Sequence, residues 1–318
     1  MQSQQKKDMS AAYHNQQPQR LQQAQQNRRI SLPVFNLKDE NSLNSGNDLT
    51  NVKDSGWLLK WRQWIVKKNN FIWIKLPGEI VGWMGESYAE VLASALCKDF
   101  KIDSHVDYYP CIVNYNNERI LSCYSYDFCE PTKERLITIE ELYNMKGQDS
   151  NCFGIEYYRP LLKFIEETTG LNYQHHIEDM LFIDYLICNY DRSYNNFGVL
   201  LDQTGVYRPA PIFDSGSSFN LDTAGEGEFY RESLYTDGRL PHPFKIPFEQ
   251  QISLTRSNRQ YKTDFQHFKT TYTWFAMNCS EKYNRYNIVN PLSTGQLQFI
   301  KTMVKKNYIA FQQYKRTA

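Results

Sequence analysis

Leu186-Ile-Cys-Asn-Tyr-Asp-Arg-Ser-Tyr-Asn-Asn-Phe-Gly-Val-Leu-Leu201 decides how this chain is read. Its first residues complete an apolar helix expected over Ile177–Asn189. A polar loop then presents Asp191 and, five residues later, Asn196, before a Val-Leu-Leu strand carries the chain away. Asp214 stands in a matching setting downstream, directly behind the apolar strand Pro209–Phe213 and ahead of Ser215-Gly216. Either loop alone is ordinary, because Asp and Asn are common turn residues. The order helix, acid, amide, strand, strand, acid is what carries chemistry. Moving a phosphoryl group to a hydroxyl needs one carboxylate to orient that hydroxyl or take its proton. It also needs hard oxygen ligands to hold Mg²⁺ against the phosphates. Asp191 fits the first role; Asn196 and Asp214 fit the second.

Working toward the amino terminus, the same chemistry requires a cation for the α- and β-phosphates. Lys75 closes the strand Phe71–Leu76, whose partner Trp61–Val66 lies across the polar turn Lys67-Lys-Asn-Asn70, a hairpin pattern. A helix over Ser87–Phe100 follows, with Val91, Leu92, Ala95 and Leu96 on one face. Glu90 sits beside that apolar stripe and is the expected partner of Lys75; Glu86, one turn earlier, is the rival. A second hairpin, Val106–Val113 with Arg119–Tyr126, turns at Asn114-Tyr-Asn-Asn117. No G-x-G-x-x-G is present. Asp54-Ser-Gly56 offers a minimal phosphate-facing turn through Gly56. The segment Cys123-Tyr-Ser-Tyr-Asp127, with Tyr126, lies between the two regions, where its backbone would meet an adenine ring.

Past Glu130 the pattern is mostly helical: Ile137–Tyr143, Tyr157–Thr168 closed by Gly170, then Ile177–Asn189, Phe265–Met277 and Thr294–Tyr314. The expected architecture is α+β and two-lobed, with a small β-rich lobe over 54–129 and a mainly helical lobe over 130–318. Residues 1–53 form a Gln/Asn/Ser-rich arm too polar to offset the entropy of ordering its backbone, and so expected to be disordered. Its one apolar island, Ile30-Ser-Leu-Pro-Val-Phe35, is open to two readings, a loose linker or a docking segment. Ser31 follows Arg28-Arg29 and is a candidate autophosphorylation site beside the reading of an unmodified serine.

Composition narrows the rest. A length of 318 residues suits two domains or one two-lobed domain, and 41% apolar residues suffice for a sizeable core. Lys and Arg total 36 against 35 Asp and Glu, a formal charge of +1, which argues against direct nucleic-acid binding and against an acidic membrane surface. No apolar run approaches the roughly 20 residues of a membrane span, and no secretory h-region opens the chain. Seven cysteines without a C-x-x-C pair suggest neither disulfide framework nor zinc site, and point to a reducing cytoplasm. The six histidines show no metal-ligand spacing.

Asn189-Tyr-Asp-Arg-Ser-Tyr-Asn-Asn-Phe-Gly198, followed by Ala210-Pro-Ile-Phe-Asp-Ser-Gly-Ser-Ser-Phe219, resembles the HipA-like serine/threonine kinases. Glu90-Val-Leu-Ala-Ser-Ala-Leu-Cys-Lys-Asp-Phe100 is similar to that family's early-lobe helix, and His242-Pro-Phe244 with Gln250-Gln251 to a downstream segment of its shorter members. The resemblance spans roughly 54–300. It implies a protein-kinase-like fold, ATP and Mg²⁺ as cofactors and a protein Ser or Thr as acceptor, and it leaves a toxin-like role and an antitoxin-like partner open. Asp191 would be the catalytic base, Asn196 and Asp214 the metal ligands, and Lys75 the phosphate-binding lysine. The chain departs from eukaryotic kinases in having Asn189-Tyr190-Asp191 for His-Arg-Asp, Asp214-Ser-Gly216 for Asp-Phe-Gly, and no Ala-Pro-Glu. The resemblance is to the short form of the family, expected without the extra amino-terminal subdomain of longer HipA proteins. Two other readings stand beside this one: a kinase-like pseudoenzyme serving as a binding module, and a small-molecule kinase of related fold.

Overall fold

Aromatic and β-branched residues alternating around two polar turns build the sheet of the β-rich lobe. Its strands are β1 (Val34–Asn36), β2 (Arg62–Lys67), β3 (Asn70–Lys75), β4 (Tyr108–Tyr115) and β5 (Glu118–Tyr126), in the order β1-β4-β5-β3-β2. The computed structural model describes residues 32–36, 62–67, 70–75, 85–115, 117–129, 133–221, 238, 240–255 and 261–317. The chain divides into two units, Met1–Pro33 and Val34–Ala318. Of the first, only Leu32 and Pro33 are described, and neither is in a helix or strand. Ser31, Gly56 and the remainder of the Gln-rich segment other than residues 32–36 lie outside the described residues.

Both expected hairpins are present. β2 pairs antiparallel with β3, from Arg62 opposite Lys75 to Lys67 opposite Asn70. β4 pairs with β5 as far as Tyr115 opposite Glu118, so the strand runs through Asn114 and the turn is tighter than the sequence suggests. Asn117 takes up the left-handed backbone that such a turn needs, at φ 65°. β5 also pairs with β3, which sets Cys123 opposite Lys75. Val34–Asn36 lies parallel to β4 with Val34 opposite Ile112, which makes part of the apolar island an edge strand of this sheet.

Helix α1 (Glu86–Asp99) follows the sheet's first hairpin, and every residue in it except Lys98 is buried. Small and apolar residues around its whole circumference let it be enclosed on all sides. It packs on β4 and β5 and also on two helices of the second lobe, α4 (Gln174–Ile187) and α6 (Gln266–Asn278). Both of its ends are fastened to the far lobe. Tyr88 Oη is within hydrogen-bond distance of the carbonyls of Cys279 (3.1 Å) and Asn290 (2.9 Å). At the other end the Asp99 carboxylate accepts from the backbone N–H of His267 (2.8 Å) and Phe268 (2.9 Å), capping α6 from across the interface. Asn290 in turn exchanges two bonds with the backbone of Leu121 in β5.

The second lobe is mainly helical, as the composition past Glu130 suggests. It contains β6 (Glu134–Thr138), α2 (Ile139–Met145), α3 (Tyr158–Thr169), α4, β7 (Gly198–Asp202), β8 (Tyr207–Pro209), α5 (Phe248–Ser253), α6, the two-residue strands β9 (Cys279–Ser280) and β10 (Tyr283–Asn284), and α7 (Thr294–Thr317). Two of the boundaries that differ from expectation have a clear local cause. Ile137 belongs to β6, opposite Val199, because Thr138 caps α2 by accepting from Glu141 N–H at 3.1 Å. The expected strand Pro209–Phe213 ends at Pro209, since neither Pro209 nor Pro211 has an N–H for a ladder. Ile212 instead forms a single parallel bridge with His105. Its N–H donates to Ser104 and its carbonyl accepts from Val106, both at 2.9 Å, which ties the approach to Asp214 to the segment leading into β4. No helix among the described residues is long and apolar enough to cross a membrane.

Candidate active site

The loop after α4 is shaped by the end of that helix. Cys188 closes α4 in the left-handed conformation, at φ 53°, and the chain folds back over the last turn. Asp184 in that turn is buried, at an end of the helix where a negative charge is disfavoured. Two loop residues answer it. Asn189 donates its Nδ2 at 2.9 Å, and the Arg192 guanidinium binds both carboxylate oxygens through Nε and Nη2, each at 2.9 Å. Asp191 lies between these anchors, its N–H 3.4 Å from Asn189 Oδ1. Asn196 donates Nδ2 to the Asp191 carbonyl at 2.6 Å, which leaves its other side-chain atom, a hard amide oxygen, as the one suited to a metal.

Lys75 comes to the same region from β3. Its Nζ lies 2.5 Å from Glu90 Oε1, 2.7 Å from Asp214 Oδ1 and 3.3 Å from Glu86 Oε1. The two glutamates that compete for this lysine in the sequence therefore both reach it, one helical turn apart. Glu90 makes the shorter contact, and its second oxygen accepts from the Ser215 N–H at 2.9 Å. Burial alone would push the Lys75 ammonium down, but Asp214, Glu86 and Glu90 together raise it well above its usual 10.5. Burial raises Glu90, with Lys75 pulling it back and Asp214 pushing it further up. One positive charge thus faces three carboxylates.

Backbone geometry makes this convergence possible. Asp214 adopts φ 57°, a left-handed conformation tolerated by Asp better than by most residues, and this turns the chain beneath α1. A Cβ added at Gly216 would come within 2.7 Å of Glu86 Cγ and 2.9 Å of Lys75 Nζ, so any larger residue would have to push the lysine and glutamate side chains aside.

Lys75, Glu90 and Asp214 are in direct contact, and Asp191 and Asn196 are bonded to each other. The two groups are linked through Arg192, which donates Nη1 to the carbonyls of Asn196 (2.9 Å) and Phe213, and Nη2 to Ser215 Oγ at 3.2 Å. Tyr126 stands apart. It ends β5 three residues beyond Cys123, so its side chain is on the opposite face of the sheet from Lys75. It is exposed there, with its ring 6.2 Å from those of Tyr109 and Tyr124. Only its backbone remains available to the site. Sequence reasoning missed Arg192, Asp184 and the packing role of Gly216. A buried acid in the last turn of an apolar helix, with an arginine eight residues on, was the available signal for the first two.

The site is thus a sheet-borne lysine held by helix carboxylates, facing two polar loops of a helical lobe. Comparison with known proteins adds little to that description. No family model matches the chain, and no curated protein matches it. A solved structure with a similar course is the crystal structure of a Helicobacter pylori proinflammatory kinase, CtkA. Its identity to this chain is 18%, with 77% of this chain and 86% of that one covered and a TM-score of 0.49. A likeness of that extent leaves the activity to be argued from the side chains.

Proposed function

We propose that the protein is a kinase-like phosphotransferase that uses ATP and Mg²⁺ to phosphorylate a Ser or Thr hydroxyl of a protein substrate. The observation that supports this most is the Lys75 cluster, in which one ammonium is shared by Glu86, Glu90 and Asp214 beside a loop that offers Asp191 and Asn196. The excess of carboxylate over ammonium suits a divalent cation. Among the described residues, no three His, Cys, Asp or Glu side chains gather to hold a metal by themselves. Mg²⁺ is usually held by one or two protein oxygens and completed by phosphates and water.

In this reading Asp214 and Asn196 supply the protein's oxygen ligands, and Lys75, kept in place by Glu90, binds the phosphates. Asp191 orients the acceptor hydroxyl and takes its proton. When bound, Mg²⁺ supplies neutralisation of the charge on the transferring group. The HipA-like motifs support a protein acceptor, and the cysteine usage supports a reducing cytoplasm. Labelling of the purified protein and of candidate acceptors with γ-labelled ATP tests the assignment. Asp191→Asn should lower labelling at least about 100-fold with nucleotide binding retained. Asp214→Ala should weaken nucleotide binding only when Mg²⁺ is present. Labelling undiminished in both variants would overturn the site, and a wild type that binds ATP without labelling any acceptor would make the protein a binding module.

A further inference from the structure

A guanidinium has five N–H donors in a rigid plane, and in Arg192 all five are engaged. Two go to Asp184, two from Nη1 go to the carbonyls of Asn196 and Phe213, and the last goes to Ser215 Oγ. The side chain is fully buried, so none of these bonds exchanges readily with water. Two acceptors on one nitrogen can stand only about 5 Å apart, given ordinary bond lengths and angles. The carbonyl of Asn196 and the carbonyl that precedes Asp214 are therefore held at a set spacing by a single planar group. Ser215 extends the linkage, because its N–H donates to Glu90, the carboxylate that holds Lys75.

We propose that Arg192 is the positioning residue that sets the separation of Asn196 and Asp214, and so governs how strongly the protein responds to Mg²⁺. It does so from behind the two loops, without touching nucleotide. The proposal rests on the phosphotransferase reading, in which those two residues are the metal ligands. A merely structural arginine would need only to neutralise Asp184. A lysine placed against Asp184 would satisfy that charge but has no second nitrogen with which to reach the two loop carbonyls, since its three donors radiate from one atom.

The test compares wild type, Arg192→Lys and Ser215→Ala by binding of a fluorescent ATP analogue across a Mg²⁺ titration and in EDTA, with thermal unfolding alongside. Arg192→Lys should raise the half-saturating Mg²⁺ concentration at least about tenfold, and Ser215→Ala, which removes one of five bonds, about threefold. Affinity in EDTA should be unchanged in both. An unchanged Mg²⁺ midpoint, or an equal loss of affinity with and without Mg²⁺, would overturn the proposal. Should Arg192→Lys fail to fold, Ser215→Ala decides by the same criteria. A wild type whose nucleotide binding ignores Mg²⁺ would fail the phosphotransferase reading itself, a result distinct from a wild type that responds to Mg²⁺ and a variant that responds equally.

Discussion

Arg192 and Lys75 are both buried cations beside carboxylates, yet they are neutralised in opposite ways. Arg192 meets one carboxylate, Asp184, and gives its other donors to neutral oxygens. Lys75 meets three carboxylates within 3.3 Å. The first arrangement is closed, with charge balanced and every donor used. The second carries surplus negative charge on the side where the two loops meet. Closed clusters of this kind hold a fold in register, whereas a surplus can be relieved only by protonation or by a further cation.

The largest effect should come from breaking the closed cluster. Arg192→Met leaves Asp184 buried without its ion pair, and should cost about 3–5 kcal/mol in urea unfolding. Adding Asp184→Leu should recover part of that loss; equal or additive destabilisation in the double variant would show that the pair is not what matters. The next effect sharpens the electrostatic side of the comparison. His176 is held down to about 4, by burial first and by the Arg192 charge second, and among the described residues its Nε2 has no hydrogen-bond partner. Its pKa is depressed, so its contribution is present above the unfolded value of 6.5 and is lost as pH falls through about 4. A loss of about 3 kcal/mol across that window is expected, by the usual conversion of a pKa difference into free energy. His176→Phe should flatten it, and an unaltered slope in that variant would assign the acid sensitivity elsewhere.

The smallest effect should come from the surplus cluster. Lys75→Met should change stability by only about 1 kcal/mol near pH 5, because Glu90 can take up a proton. Glu90 is already raised above its ordinary 4.5, so its contribution is present below that value and is lost as pH rises through the folded value. Without Lys75 the value rises further, so the variant should lose stability more steeply than wild type above pH 5. Glu90→Gln added to it should remove that added slope. Parallel pH curves for wild type and Lys75→Met would mean that the lysine does not control this acid.

Much of this comparison could be read before any coordinates. Lys75, Glu90, Asp191, Asn196 and Asp214 stand at strand ends, helix starts and loops, where local pattern is strongest. The hairpins and α1 follow from alternation and from apolar spacing. The closed cluster was not legible in the same way. Asp184, Arg192, Phe213 and Ser215 come from a helix and two separate loops, and nothing in their spacing says that one guanidinium reaches all of them. In the sequence Glu86 rivals Glu90 because pattern matches one lysine with one acid, whereas an ammonium can donate to several acids around a tetrahedral nitrogen.

The amino-acid sequence alone determined the α+β division, the order of the elements and the residue types placed in each loop. Hydrophobic period and turn chemistry act over a few residues, and they are written directly in the chain. Tertiary structure alone decided that Val34–Asn36 joins the sheet, that α1 is fastened at Tyr88 and Asp99, and that Arg192 joins two loops while Lys75 collects three acids. Each of those depends on groups far apart in sequence meeting where water is excluded. Charge and unpaired hydrogen-bonding groups there are costly enough to select among partners that local pattern leaves equal.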